Sequence, residues 1–587
     1  MKITKKLIFV TSVFFALNYA IADEWDDFGS DSDFSSTSPV VSISGSAKMS
    51  GRAYTDFRED GDSGKRYSAK DLKVESIPEA SLNFDYNGSS SEVSFKLKFN
   101  KNSLGEYKAD ILDEFSARAY LGNFQLEAGK MKVVWGKGDK IHVVDNFNAN
   151  DYTNFVYPDY IERRIAEPML RLVYSTASNI KFEAIYTPVM SVDRLASGGI
   201  WQPYASKRLI DTVSNIASAA VADVYSKYCA LGVVSGSLQS LYAESVATST
   251  AYVALQSLVT AHGSNAYVAY NAANGTSLTA SQFENLVVSA SLAKTTAEGA
   301  YTQAISAANS QYGLSLTSAS DATVAYSNAA AAYLTALSAS SNVASNLYPD
   351  TASLKYGQAG LRSTFTLGHF DLGFNYYYGH YKQPSSDSTK VASYVTKVLS
   401  GATITEDDKF LCYDRLQVFG VEMATVLWKF NLRGEGAYYL TKDTAGDDSS
   451  VHNNSIQWVF GFDMDLPVSN VNLNVQTQGK YVLNNKKIKD SANVNDVDYN
   501  SDDKYTSNKL IVDITDSYLH ENIKLDLKGI YEIETKDFVI MPSVTFKTVD
   551  DFSVTASGML IKTDNVNSDF YNFRRNSFAQ ISCKYLF

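Results

Sequence analysis

Apolar and polar residues alternate with a period of two in one segment after another of this chain. Over 180–186, Ile180, Phe182, Ala184 and Tyr186 alternate with Lys181, Glu183 and Ile185. Over 370–379, Phe370, Leu372, Phe374, Tyr376 and Tyr378 alternate with Asp371, Gly373, Asn375, Tyr377 and Gly379. Over 429–440, Phe430, Leu432, Gly434, Gly436, Tyr438 and Leu440 alternate with Lys429, Asn431, Arg433 and Glu435. Ile523, Leu525 and Leu527 alternate with Lys524, Asp526 and Lys528. Successive side chains of a strand point to opposite faces, so each segment predicts a strand with one apolar and one wet face. A soluble sandwich shows the same period, and periodicity alone does not choose between the two.

The connections choose. Tight turns at 87–90, 122–123, 177–178, 368, 428, 468–469 and 549–550 alternate with long polar links at 58–77, 101–112, 136–167, 190–353, 382–412, 442–453, 484–508 and 563–574. Only the turn at 534–537 is short where a long link is due. Short turns on one side and long loops on the other are the habit of membrane barrels. The reading is an all-β, transmembrane, antiparallel β-barrel of about 16–18 strands with a large α-helical extracellular insertion. Residues 41–190 supply the first strands, 191–353 the insertion, and 354–587 the remaining strands. The apolar faces then meet outer-membrane lipid, while Lys181, Glu183, Lys429, Arg433, Glu435, Lys524, Asp526, Lys528 and Lys584 line a watery lumen.

Lys2, Lys5 and Lys6 precede an apolar run from Leu7 to Ala22 that ends in Ala20-Ile21-Ala22, which predicts a cleaved signal peptide over 1–22 and export. An acidic periplasmic linker follows over 23–40. The chain holds 39 Tyr and 30 Phe but only 10 Pro, and no later run is apolar and long enough for a membrane helix. A formal charge of -12 argues against nucleic acid as a partner. Cys229, Cys412 and Cys583 make no disulfide framework; an oxidising compartment allows Cys229 to pair with Cys412, with no spacing pattern behind it.

Two stretches carry resemblances. The segment 577–587 (SFAQISCKYLF), with Ile581, Tyr585 and Phe587 on one face and Gln580 and Lys584 on the other, resembles the closing strand of bacterial outer-membrane barrels. That likeness implies the outer membrane as location and the barrel assembly machinery as a partner of the C-terminal strand. Gly129-Lys130, Val133-Val134-Trp135-Gly136, Asp139, Asp145, Asn148 and Asp151 resemble a motif of a poorly characterised family of porin-like outer-membrane proteins. That pattern has Asn-Pro before its last Asp, where Ala149 and Asn150 stand here. The overall style also resembles spirochaetal outer-membrane proteins. In porins the third outer loop folds inward, so the resemblance implies a constriction built from 136–167, with Asp139, Lys140, Asp145, Asp151, Asp159, Glu162, Arg163 and Arg164 as candidates.

The insertion is rich in Ala, Ser and Tyr. Runs such as 216–223 and the spacing of Ala290, Ala293, Ala297, Ala300, Ala304 and Ala308 predict a closely packed helical bundle, broken near Gly263, Gly275 and Gly313. It predicts a surface domain that binds a host or surface ligand, a plug, or a shield without a partner. Asp496, Asp498, Asn500 and Asp502 place oxygens at alternate positions as calcium loops do, without the Gly at position six or the closing Glu. No other metal pattern, cofactor motif or nucleophile–base set is present, so no enzyme and no cofactor are expected. Of the six His, His142 alone lies among carboxylates, Asp139 and Asp145. The function predicted is passive diffusion of small polar or charged solutes. The alternatives are a surface adhesin on a barrel anchor and a plugged transporter of hydrophobic molecules.

Overall fold

The computed structural model describes residues 40–55, 72–139, 141–154, 161–345, 347–491, 493–549 and 551–587. The leader over 1–22, almost all of 23–40, Lys140 and Asp159 lie outside the described residues.

Eighteen strands form the wall: β1 (Val40–Tyr54), β2 (Lys73–Asn87), β3 (Ser91–Phe99), β4 (Leu112–Leu121), β5 (Phe124–Met131), β6 (Glu167–Ser175), β7 (Lys181–Thr187), β8 (Gln358–Leu367), β9 (Phe370–His380), β10 (Arg415–Leu427), β11 (Phe430–Leu440), β12 (Ser455–Asp465), β13 (Asn472–Val482), β14 (Thr506–Tyr518), β15 (Ile523–Glu532), β16 (Asp537–Val549), β17 (Phe552–Lys562) and β18 (Phe578–Leu586). Each pairs antiparallel with its sequence neighbours. The sheet closes where β1 meets β18 in register from Tyr54↔Phe578 to Ser46↔Leu586. Closure leaves no unpaired edge, which lipid would not tolerate.

Register carries one parity round the whole ring. Leu172, Phe182, Leu361, Phe374, Phe419, Phe460, Ile540 and Ile581 are exposed on the outside. Arg171, Glu183, Arg362, Asn375, Glu422 and Glu435 point inward on successive strands, each opposite the next in register or offset from it by two residues. An exposed apolar band on a closed barrel is the surface that lipid covers, and the protein is an outer-membrane β-barrel.

The insertion leaves β7 and returns at β8, at the end of the barrel that carries the long links. It holds α1 (Tyr204–His262, 59 residues), α2 (Ala266–Asn274), α3 (Ala280–Tyr312) and α4 (Ala319–Ser340). Gly263, Gly275 and Gly313 cap α1, α2 and α3, each at positive φ. Thr279 and Ser318 start α3 and α4 as capping boxes. Ala297 and Ala308 are buried where α3 meets its neighbours, small residues letting the backbones approach. The base of α1 and the tail of α4 dock on α5 (Val391–Leu399), a helix in the link between β9 and β10, through Val213, Ala217, Val343, Tyr394 and Leu399.

Lys429 is a correction to the expected lumen set. It sits in the tight turn between β10 and β11, its ammonium 5.6 Å from the Trp428 ring centroid. Strand β11 begins only at Phe430, so Lys429 never enters the wall.

Candidate functional site in the lumen

The chain leaves the wall after Met131 and rejoins it at Glu167, and in between it folds into the barrel as a strap. One side chain ties both ends: Asn148 accepts from the Val133 N–H at 2.8 Å and donates to the Met131 and Ile165 carbonyls at 3.0 and 2.9 Å. Trp135, Val143, Val144 and Phe147 of the strap pack on inward residues of β6 to β12, among them Met169, Ile185, Tyr377, Val418, Tyr439 and Val459. Phe147 is the hub, edge-on to Trp135 at 5.0 Å and to Tyr377 at 5.2 Å. The wall makes room with small residues. A Cβ on Gly360 would come within 2.7 Å of both rings' carbons.

Polar pegs fix the strap's height. Glu435 on β11 accepts from the Gly138 and Val143 backbone N–H groups at 2.6 and 2.8 Å, and lies 2.8 Å from His142 Nδ1. Gly136 has φ 116°, and a Cβ there would fall within 2.2 Å of the Glu435 carboxylate. The Trp-Gly of the sequence motif is therefore the price of bringing backbone against a wall carboxylate. Asp139 joins Arg433 at 3.0 Å and Asn474 at 2.7 Å, and Asp151 accepts from Asn102 at 3.2 Å.

Two constriction candidates do not face the open lumen. Asp145 and Arg164 form an ion pair inside the strap, and Arg164 also donates to the Asn148 carbonyl; both side chains are almost wholly buried. Buried charges of opposite sign pair because neither can stay unpaired away from water. Arg163 is half-buried, its carbonyl bonded to the Asp151 N–H at 2.7 Å. Glu162 borders the open space.

Beneath the strap, charges alternate across the wall. Glu92, Arg118, Glu127, Arg171, Glu183, Arg362 and Glu422, carried by β3 to β8 and β10, are linked at 2.6, 2.9, 3.0, 2.7, 3.6 and 2.7 Å in turn. Gly373 on β9 lets the last link pass, since a Cβ there would meet the Glu422 carboxylate at 2.2 Å. Sequence reading found Glu183 and missed the other six. Their signal was present: Arg171 stands between Leu170 and Leu172, and Glu422 between Val421 and Met423, at the inward parity.

The strap fills the β6 to β12 side of the lumen and leaves a cavity of about 490 Å³ along β1 to β3 and β15 to β18. Eight cations border it: Lys48, Arg52, Lys96, Lys98, Lys132, Lys524, Lys528 and Lys584. Three carboxylates do: Glu79, Glu162 and Asp526. Lys48 pairs with Glu79 at 2.9 Å and Lys528 with Asp526 at 3.0 Å, while Lys96 and Lys132 turn to Asp113 at 3.5 and 3.0 Å. Lys524 and Lys584 have no carboxylate within 4.0 Å among the described residues. Hydroxyls fill the wall between them, Ser50 with Ser582 and Thr545 with Thr555, each pair at 2.9 Å. Lys181 also points inward, opposite Ser175 and Thr364 near the short-turn end.

The calcium-like loop does not assemble a site. Asp498 is 3.1 Å from His452 Nδ1 and 3.9 Å from Lys480, Asp496 accepts from the Asp498 N–H, Asn500 from the Asp502 N–H, and Asp502 from Asn565. Among the described residues no three His, Cys, Asp or Glu side chains are grouped to hold a metal. Burial opposes the charge of Asp498, but the His452 hydrogen bond and charge, with Lys480, hold its carboxyl below the usual range. Cys229, Cys412 and Cys583 are unpaired thiols.

Among solved structures the chain is similar to Pseudomonas aeruginosa OpdQ, with TM-score 0.38 and 7% identity over 94% of this chain and 98% of that one. Acinetobacter baumannii OccAB3 gives 0.37 and 8% over 93% and 99%. A loop-deletion mutant of OmpT, an outer membrane protein of Vibrio cholerae, gives 0.31 and 8% over 94% and 99%. None of these three is spirochaetal, and that resemblance finds no support. No curated protein matches the chain. The sequence does match the family described as "Protein of unknown function (DUF1302)" over residues 18–463, more than half its length, and the protein belongs to that family.

Proposed function

We propose that the protein is a porin-like channel through which small polar or charged solutes diffuse passively across the outer membrane, with the inward strap as its constriction and a bias toward anions. One observation carries the reading: the strap is docked on half of the lumen and leaves the other half as a cavity bordered by eight cations and three carboxylates. A barrel of eighteen strands is too wide for wall side chains alone to fill, so a docked strap sets the width of passage. Unpaired lysines in a narrow, partly desolvated space attract anions from either side.

The test is conductance of the purified, heat-modifiable protein in planar bilayers. Stepwise currents are expected, with a reversal potential in a KCl gradient that favours chloride. Folded protein that inserts and passes no current would sink the channel; a potassium preference would sink the anion bias alone.

A second reading, surface binding by the helical insertion, has its own observation. The clusters around Leu238 and Leu255 contain only residues of the insertion, so among the described residues the outer part of the rod packs on itself. Unchanged ligand or host-cell binding after changes to that outer part would count against it.

A further inference from the structure

We propose that Arg52 is an anion subsite at the mouth of the cavity, built to take the carboxylate of a small organic acid and roofed by Trp201. The proposal deepens the channel reading and rests on it for the path by which a solute arrives.

Arg52 stands near the long-link end of β1 and is 3% exposed. Its Nε donates to Gln580 Oε1 at 2.8 Å, and its Nη1 to Asn154 Oδ1 and, at 3.3 Å, to the Tyr54 hydroxyl. Every one of these partners is neutral. Among the described residues no carboxylate lies within 4.0 Å of the guanidinium, and Nη2 has no hydrogen-bond partner. Glu75, opposite Arg52 on β2, reaches it only through the Tyr54 hydroxyl, which donates to that carboxylate at 2.9 Å, and a buried cation without a directly bonded counter-charge is costly. Three other arginines of the wall, Arg118, Arg171 and Arg362, each hold two carboxylates.

The surroundings suit an organic anion better than a bare one. The guanidinium carbon lies 4.4 Å from the Phe578 ring centroid and 5.7 Å from that of Trp201. Ile77, Ile161, Met541 and Phe578 border the same cavity, giving a short apolar body something to lie against. Lys98, Lys524 and Lys584 border the same cavity.

Trp201 is brought there from across the mouth. After β7 the chain passes the strap, where the Arg194 N–H bonds the Asn150 carbonyl at 2.9 Å, and then reaches the β1/β18 rim. There Trp201 Nε1 donates to the Tyr54 hydroxyl at 2.7 Å, and its ring packs on Phe573 at 5.9 Å. Helix α1 starts three residues later, with Tyr204 against Tyr571 at 6.1 Å. Trp201 is thus a positioning residue: it holds Tyr54 and the guanidinium in place and belongs to the root of the helical rod.

The probe is benzoate, with acetate as the body-less control. In planar bilayers benzoate is expected to block the chloride current of the wild type at lower concentration than acetate does. Arg52→Gln should raise the half-blocking concentration roughly tenfold to a hundredfold, the usual yield of one charge-assisted bond. Arg52→Lys should raise it less, and Trp201→Phe, which keeps a ring over the site but loses the N–H to Tyr54, should raise it by an amount between wild type and Trp201→Ala. Calorimetric titration of the purified full chain with benzoate reads the same site without current. Equal block and equal binding in Arg52→Gln and wild type would overturn the subsite. Binding that depends on Arg52 in a protein that never conducts would leave the subsite standing and remove the channel.

Discussion

Gly138 donates its backbone N–H to Glu435 Oε1 across 2.6 Å, joining the strap to a wall residue 297 positions further along the chain. The same carboxylate takes the Val143 N–H, so one side chain holds two turns of the strap. Glu435→Ala strands both donors, at a cost of about 1–3 kcal/mol for each left unsatisfied. The expected outcome is a larger or noisier unit conductance and a lower temperature for the loss of the folded band on gels. Glu435→Gln, which keeps one acceptor, should do less.

Gly360 gives the aromatic hub its seat. A Cβ 2.7 Å from the Phe147 and Trp135 rings forces the hub away, and overpacking of this kind costs about 1–3 kcal/mol. Gly360→Ala should shift the fluorescence of the buried Trp135 toward the solvent-exposed wavelength. An unchanged spectrum would show that the strap yields without moving its tryptophan.

The alternating ladder makes Arg171 the counter-charge of Glu127 and Glu183 together. Arg171→Gln leaves two inward carboxylates short of a partner and should cost on the order of 3 kcal/mol, with part of it relieved by lumen water. Reversal potentials should move toward cations. Lys524→Glu with Lys584→Glu should move them the same way with little loss of stability, because neither lysine pairs with a carboxylate among the described residues.

Loop closure should depend on acidity through Asp498, which binds His452 of the 442–453 link and Lys480 of β13. Its folded value lies below the unfolded one, near 3.9. A depressed carboxylate contributes stability that is fully present above the unfolded value and is lost as pH falls through the folded one. The loops at 442–453 and 484–505 should therefore resist an acid-active protease at pH 5 and yield to it near pH 3. Asp498→Asn should be cut at both.

Much of the fold could be read from alternation alone, because a barrel gives every strand the same two environments. Phe374 and Phe460 meet lipid, Glu183 and Lys528 meet water, and turn length marks the end of the wall. The helical breaks at Gly263, Gly275 and Gly313 were equally legible, each needing positive φ. The strap was legible as a segment but not in its chemistry. Asp145 and Arg164 look like pore charges in sequence, and only their burial against each other reveals a brace. Lys429 was assigned by parity carried one residue past the end of its strand. Arg52 gave no signal, since its meaning lies in neutral partners from β18 and the strap.

Among the described residues, the outer part of α1, from about residue 225 to His262, packs on other helices of the insertion. Thirty-eight residues of helix measure about 57 Å, nearly twice the thickness of a bilayer's hydrocarbon. Whatever approaches from that side touches the Ala- and Ser-rich tip well before it reaches Arg52. Tip and cavity stand at separate addresses, so in the proposed channel an antibody or protease that grips the tip is expected to leave the current unchanged.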